Sequence, residues 1–312
     1  MSLLHQRRIA QGPARRIPRR LSRWLLSLLI VFGTPLYFAE ELSSSAYTAS
    51  SPRSVLARLY EKPSPLRWPS AHRGAQASGP ENSVDAVRGA AQAGIPLIEV
   101  DLRRNADGTL FLYHDRRLDG SKVTGPSQLL GRPAESLDDR ELRLLRYAGG
   151  VPSHLATYAE ALDAVAPYHT TLQLDVKGEP RAVIDQAVFI AREKGQAHQI
   201  VVQCQRLSTL AYVREKFPDI AVLARAHSVA DVRQAYRKLP DIIQIDEAWI
   251  SPGMVQEIHA AGSKILVKSL DTMDTVEHWQ RLFDAGIDIV LTDKAMQMVR
   301  HLRAPPRLNG VP

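Results

Sequence analysis

The chain has 312 residues, 45% of them hydrophobic and 23% charged, with a formal net charge of +7. That composition excludes a disordered or collagen-like chain and supplies enough apolar residues for one large core or two ordinary ones. Residues 1–23 hold seven arginines (Arg7, Arg8, Arg15, Arg16, Arg19, Arg20 and Arg23) and no acid, so this flank carries the whole net charge and the remaining body is formally neutral. A neutral body lacks the basic footprint of a general nucleic-acid binder. The single cysteine, Cys204, excludes an internal disulfide.

In chain order, the arginines lead into an uncharged run, Trp24 to Ala39, reading WLLSLLIVFGTPLYFA. A basic flank followed by an apolar run predicts a hydrophobic helix at 24–42 that serves as a secretory signal or an uncleaved signal-anchor. The run of 16 residues is slightly shorter than the roughly 17–25 a span needs, although Leu21 and Leu42 could lengthen it. Ser44 and Ala46 offer small residues for cleavage. The arginines would stay cytoplasmic. The body would then be held on the outer side of the inner or plasma membrane, or exported after cleavage. Residues 43–67, rich in Ser and Pro, read as a tether, 68–303 as the folded body and 304–312 as a tail.

From Trp68 a short β-branched apolar run alternates with a helical pattern. The predicted strands are Trp68–Arg73, Leu97–Arg103, Thr171–Lys177, Gln199–Gln205, Ile220–Ala226, Ile242–Ala248, Lys264–Leu270 and Ile287–Thr292. The predicted helices include Ser83–Ala93, Leu155–Val165, Val183–Lys194, Leu207–Lys216, Val229–Lys238, Pro252–Ala261 and Thr275–Ala285. Gly94, Gly195, Gly262 and Gly286 stand where helix C-termini are expected. Strand alternating with helix implies a parallel sheet, and eight units over this length predict a (β/α)8 TIM barrel. An open doubly wound sheet fits less well, because no Gly-rich phosphate loop follows the first strand. Asn105 to Asp115 interrupts the rhythm: Asp107-Gly108 reads as a turn and the alternation after it as a hairpin extending the second strand. Gly120 to Gly150 is a loop excursion in which SLDDREL resembles a capped helix start.

Barrel active sites lie at the C-terminal ends of the strands. His72 and Arg73 end the first predicted strand. Glu99 and Asp101 lie two apart on the second, and Asp175 and Lys177 repeat that spacing on the third, so each pair shares a face. The hairpin returns His114 to the same rim. Three carboxylates in an apolar strand layer repel one another unless a cation lies between them, and an all-oxygen set favours Mg²⁺ or Ca²⁺ over zinc. The alternative is a salt-bridge network with Lys177 and Arg73.

The motifs AHRG and PENS, then IEVDLRRNADGTLFLYHD, LQLDVK and GIDIVLTD, resemble in order and spacing the glycerophosphodiester phosphodiesterase family. The resemblance runs from about Ala71 to Asp293 and is most specific in its first half. It implies a TIM barrel that hydrolyses glycerophosphodiesters to glycerol 3-phosphate and an alcohol with a divalent cation, Mg²⁺ or Ca²⁺. It implies His72 and His114 as the catalytic acid–base pair, Glu99, Asp101 and Asp175 as metal ligands, and Arg73 and Lys177 as phosphate contacts. It also implies attack by the substrate's own glycerol hydroxyl, where the residues alone leave direct attack by water open. Gly74 would let the backbone turn beside the ligand, Asn82 would cap the next helix, and Glu81 would orient Arg73 or approach the metal.

The sequence departs from the family pattern at three places. Asp175 stands where the family usually has Glu, VVQCQRL replaces a Ser-Phe stretch, and Lys268 replaces a tryptophan that packs near the glycerol. Lys268 therefore reads either as an additional substrate-binding cation favouring a more acidic substrate, or as the partner of Asp246. Two further functions are open to the same residues: a lysophospholipase D-like activity on membrane lipids, for which a long apolar groove at the mouth would speak, and a non-catalytic phosphoester-binding barrel. The expected partners are thus a small-molecule or lipid phosphodiester, and a membrane through the N-terminal segment. Cys204 reads as core, and His154, His169, His198, His227, His259 and His278 as surface or internally satisfied positions.

Overall fold

The computed structural model describes residues 54–304 apart from 62, 151 and 239. The strands, in chain order, are β1 (Trp68–Ala71), β2 (Leu97–Arg104), β3 (Leu110–Leu112), β4 (Val123–Thr124), β5 (Arg146–Tyr147), β6 (Thr171–Val176), β7 (Ile200–Cys204), β8 (Ala221–Arg225), β9 (Ile242–Gln244), β10 (Lys264–Ser269) and β11 (Ile289–Thr292). Eight of them pair in parallel in the order β1-β2-β6-β7-β8-β9-β10-β11. The pairing of β1 with both β2 and β11 closes the ring. The fold is therefore the expected (β/α)8 barrel.

The helices are α1 (Val55–Tyr60), α2 (Val84–Gln92), α3 (Asp139–Leu144), α4 (Tyr158–Val165), α5 (Arg181–Glu193), α6 (Leu207–Lys216), α7 (Val229–Tyr236), α8 (Pro252–Ala260), α9 (Val276–Asp284) and α10 (Ala295–Arg303). Strand residues alternate between two apolar layers. Ile98, Val100, Leu172, Leu174, Ile200 and Val202 face outward and pack with helix residues such as Val87, Ala90, Leu162 and Ile184. Leu97, Val201, Ala221, Leu223, Ile242, Leu266, Ile289 and Leu291 face inward and share a cluster with Val55 and Leu59 of α1. Several of these begin their strands, so α1 closes the N-terminal end of the barrel. It lies within the stretch read as a tether, which is therefore packed from at least Val55 onward.

Some boundaries differ from expectation for local reasons. β1 stops at Ala71 because Arg73 takes a left-handed backbone, φ 56°. α4 starts three residues after Leu155, where the Thr157 hydroxyl and the Glu160 carboxylate form a reciprocal cap. β9 stops at Gln244, and Asp246 then caps a short 3-10 turn, Glu247–Trp249. The hairpin forms as predicted, with Leu102 opposite Leu112 and Gly108 at φ 96° in the turn. The hairpin and the excursion share an apolar cluster of their own, including Phe111, Leu118, Leu129, Leu137 and Leu145. Within it, α3 is capped by Asp138 and Glu141. No helix among the described residues is long and apolar enough to cross a membrane. The predicted hydrophobic helix at 24–42 lies outside those residues.

Candidate active site

The inward layer that is apolar at the bottom of the barrel becomes ionic at its C-terminal mouth. Counting by two from Leu97 places Glu99 and Asp101 on the inner face of β2, and the register sets Asp101 beside Asp175 of β6. All three carboxylates are buried, with one oxygen from each lying within 4.8 Å of the others. Burial first, and then the charges of Asp101 and Asp175, push the Glu99 carboxyl well above the usual carboxylate range. Burial opposes ionisation of Asp101 too, but Lys177, Asn82 and Arg73 outweigh it and hold that carboxyl low.

Two cations enter this cluster. Lys177 Nζ lies 2.5 Å from Asp101 and 2.7 Å from Asp175. Arg73 donates its backbone N–H to Glu99 at 3.0 Å, and its guanidinium Nε lies 3.3 Å from Asp101. The other end of the guanidinium donates to Glu81 at 2.8 Å, so Glu81 orients Arg73. Gln205, from the altered VVQCQRL stretch, donates to Asp175 at 2.9 Å. Gly74 serves a packing need as well as a turn: it has φ 89°, and a Cβ there would meet Ala86 Cβ of α2 at 2.8 Å.

Each histidine is held by a carboxylate. His72 Nδ1 donates to Asp293 at 2.8 Å, and Gln76 donates to the same oxygen at 2.8 Å. His114 Nδ1 donates to Asp115 at 2.7 Å. This arrangement fixes the Nδ1–H tautomer and leaves Nε2 as the atom able to take or give a proton. Lys122 bridges Asp115 at 2.8 Å and Glu81 at 2.9 Å, which links His114, half-exposed at the rim, through to Arg73. His72, Arg73, Lys177 and the three acids thus converge on one mouth, and His114 joins them through three intervening side chains, Asp115, Lys122 and Glu81.

Two expectations are corrected. Asn82 does not cap α2: Ser83 does, its hydroxyl accepting the Ala86 N–H at 3.0 Å. Asn82 instead donates to the Asp101 carboxylate at 2.8 Å and accepts the Asp101 N–H at 3.0 Å. Lys268 is not paired with Asp246, whose carboxylate accepts the Ala248 N–H at 2.9 Å. Burial and the neighbouring Arg225 charge push the Lys268 ammonium below its ordinary value, while Glu99 and Asp175 pull the other way.

Sequence reasoning missed Asp115, Asp293 and Lys122. Asp115 directly follows His114, and Asp293 directly follows β11, two residues after inward-facing Leu291, so both were visible as carboxylates at the rim. Cys204 is buried core, its thiol pushed up by burial. His278 is buried and satisfied by Ser269, Met273 and Glu247.

The donor set fits a hard divalent cation: three buried carboxylates, one held above its ordinary range by burial and then by the other two, offer only oxygen. Arg73 and Lys177 then stand at its edge, where anionic oxygens would meet them.

The model of the glycerophosphoryl diester phosphodiesterase family matches residues 72–296. A Mycobacterium tuberculosis protein named probable glycerophosphodiester phosphodiesterase 2 is 27% identical over 244 residues, covering 72% of this chain and 86% of that one. A phosphodiesterase of Oleispira antarctica, solved with its product sn-glycerol 3-phosphate, superposes with a TM-score of 0.64 at 21% identity, covering 77% of this chain and 98% of the other. A glycerophosphoryl diester phosphodiesterase of Parabacteroides distasonis gives 0.67 at 19% identity, covering 82% and 95%. At these identities the two structures speak for the fold.

Proposed function

The chain belongs to the glycerophosphoryl diester phosphodiesterase family and is a phosphoric diester hydrolase of that type, and we propose that His72 and His114 serve as its acid–base pair while Glu99, Asp101 and Asp175 hold a divalent cation, Mg²⁺ or Ca²⁺. The products would be glycerol 3-phosphate and an alcohol, in line with the product bound to the Oleispira relative. The observation that carries this reading is the mouth itself: a buried triad of acids flanked by Lys177 and Arg73, with two carboxylate-oriented histidines beside it.

A phosphodiester anion repels nucleophiles. Arg73 and Lys177 are placed to neutralise its nonbridging oxygens, and a bound divalent cation would add Lewis-acid stabilisation of the same charge. As one P–O bond forms and the bond to the leaving alcohol breaks, one histidine Nε2 takes the proton of the attacking hydroxyl. The other gives a proton to the departing alkoxide. Asp293 and Asp115 each accept the Nδ1–H of one ring and fix its direction. Replacing His72 or His114 by Ala in the purified full-length chain should each lower turnover by about 10²–10⁴, the usual worth of general acid–base catalysis. Near-normal turnover of His114→Ala would remove it from the pair.

One observation favours a lipid substrate. A cavity of about 370 Å³ beside Glu81 and Lys122 is lined by Pro80, Tyr113, Val123, Tyr147 and Ala148. It offers apolar surface to the acyl part of a lysolipid next to the rim. Faster hydrolysis of lysolipids than of their deacylated counterparts would assign the lysophospholipase D-like activity. For location, the arginine-rich flank and the run from Trp24 to Ala39 support a membrane anchor or export. A reporter fused after Pro312 should be active only outside the cytoplasm, and cytoplasmic activity would reverse that placement.

A further inference from the structure

The mouth is electrically two-sided. The carboxylates stand on β2 and β6, and β9 lies opposite β2 in the ring of eight. The strands on that opposite side carry cations. Leu223, Ile242 and Leu266 face the barrel interior, so counting by two places Arg225, Gln244 and Lys268 on the same inner face at the mouth. The register confirms their proximity: Gln244 is level with Arg225 on one side and with Leu266, two residues before Lys268, on the other. These side chains line a cavity of about 390 Å³, walled in part by Trp249 and His227.

Neither Arg225 nor Lys268 forms an ion pair among the described residues. The acids at the rim are otherwise engaged, Asp246 with the Ala248 N–H at 2.9 Å and Glu247 with His278 at 2.9 Å. The Gln244 Oε1 is buried without a hydrogen-bond partner. Two neighbouring, partly buried cations without a counter-ion repel each other, and an anion placed between them relieves that repulsion. The mutual repulsion is felt at Lys268, whose ammonium is depressed by burial and then by Arg225.

A phosphodiester seated on Arg73 and Lys177 has two alcohol arms, and one can extend across the mouth toward this cavity. We propose that Arg225 and Lys268, with Gln244 between them, receive a second anionic group, a carboxylate or phosphomonoester, that the substrate carries beyond its scissile diester. This rests on the diesterase reading above and narrows its substrate class to glycerophosphodiesters with an acidic alcohol arm.

Glycerophosphoserine and glycerophosphoethanolamine differ by one carboxylate and so isolate the effect. The full chain should show kcat/KM for the serine ester higher by about tenfold or more, the worth of one charged hydrogen bond. Arg225→Gln and Lys268→Gln should each collapse that ratio toward one, and Lys268→Arg should retain most of it. Equal losses on both esters would overturn the proposal, because the cations would then serve the reacting phosphate. A wild-type preference for the ethanolamine ester would also overturn it. If neither ester is hydrolysed, the diesterase reading fails, and calorimetry with O-phosphoserine and O-phosphoethanolamine still decides. Tighter binding of O-phosphoserine, lost in Lys268→Gln, supports the anion pocket, and equal binding refutes it.

Discussion

Asp293 touches no reacting atom in the proposed reaction, yet it sets the ring of His72. It accepts from His72 Nδ1 and from Gln76, and its carboxyl is held below the usual range first by the His72 hydrogen bond, against the pull of burial. A hydrogen bond to a charged group is worth about 1.5–3 kcal/mol. Asp293→Asn should therefore lower turnover by about 10- to 100-fold while leaving the barrel folded. The sign of its pH effect follows from the depressed folded-state pKa. The stabilisation is fully present above the unfolded carboxylate value of about 3.9 and is lost as pH falls through the folded value. The difference in melting temperature between wild type and Asp293→Asn should accordingly narrow on acidification below about pH 4. A gap that stays constant down to about pH 2.5 would show that the carboxylate's charge plays no part in stability. His72, Arg73, Glu99, Asp101, Asp175 and Lys177 were readable because alternation along a single strand assigns them a face. The place of Asp293 near the rim was readable as well, but its hold on His72 was not, because the two lie 221 residues apart and the contact exists only once the last strand closes on the first.

At the scale of elements, the segment between β1 and α2 is built to hold the mouth rather than merely to connect. Asn82 takes a left-handed backbone, φ 59°, which turns its carboxamide inward to meet Asp101 twice, and its carbonyl accepts the Tyr147 hydroxyl of β5 at 2.8 Å. The excursion is thereby tied to the same loop that carries Arg73. An Asn directly before an amphipathic run normally reads as a cap, and here the neighbouring Ser83 does that work, so local pattern alone could not separate the two. The consequences of removing them differ. Ser83→Ala loses a cap worth about 1 kcal/mol. Asn82→Ala leaves a buried N–H and a buried carboxylate short of a partner, about 1–3 kcal/mol or more, and also places Ala in a strained backbone region. Denaturant unfolding should show the larger loss for Asn82→Ala. Turnover should fall with it, while Ser83→Ala retains near-normal turnover. Equal losses in both measurements would reduce Asn82 to an ordinary loop residue.

At the scale of the whole molecule, the barrel was legible because each strand–helix unit is a local pattern, with capping residues and glycines at its ends. The charge balance of the mouth was not, because it is assembled from six strands and one excursion. Three buried acids face Lys177 and Arg73, so ionising all three would leave an excess of negative charge, and burial and its two neighbours accordingly hold the Glu99 carboxyl well above its ordinary range. A divalent ion that binds the folded state but not the unfolded chain adds RT ln(1 + [L]/Kd), about 2.7 kcal/mol at a hundredfold excess over Kd. For a chain of this size each kcal/mol shifts the melting temperature by about 2–4 °C, so exhaustive chelation should lower it by roughly 5–11 °C and abolish turnover. Mg²⁺ or Ca²⁺ should restore both. Asp101→Asn removes one ligand charge and should weaken the ion's effect on melting. It also weakens the hold on Lys177, so the variant's own melting temperature in chelator is the proper baseline. Asp175→Glu restores the family's longer ligand and should change which of the two ions gives the larger shift. Turnover that survives exhaustive chelation would refute the metal assignment. A chelator-sensitive melting temperature without hydrolysis of any phosphodiester would leave a barrel that binds phosphoesters and does not cleave them.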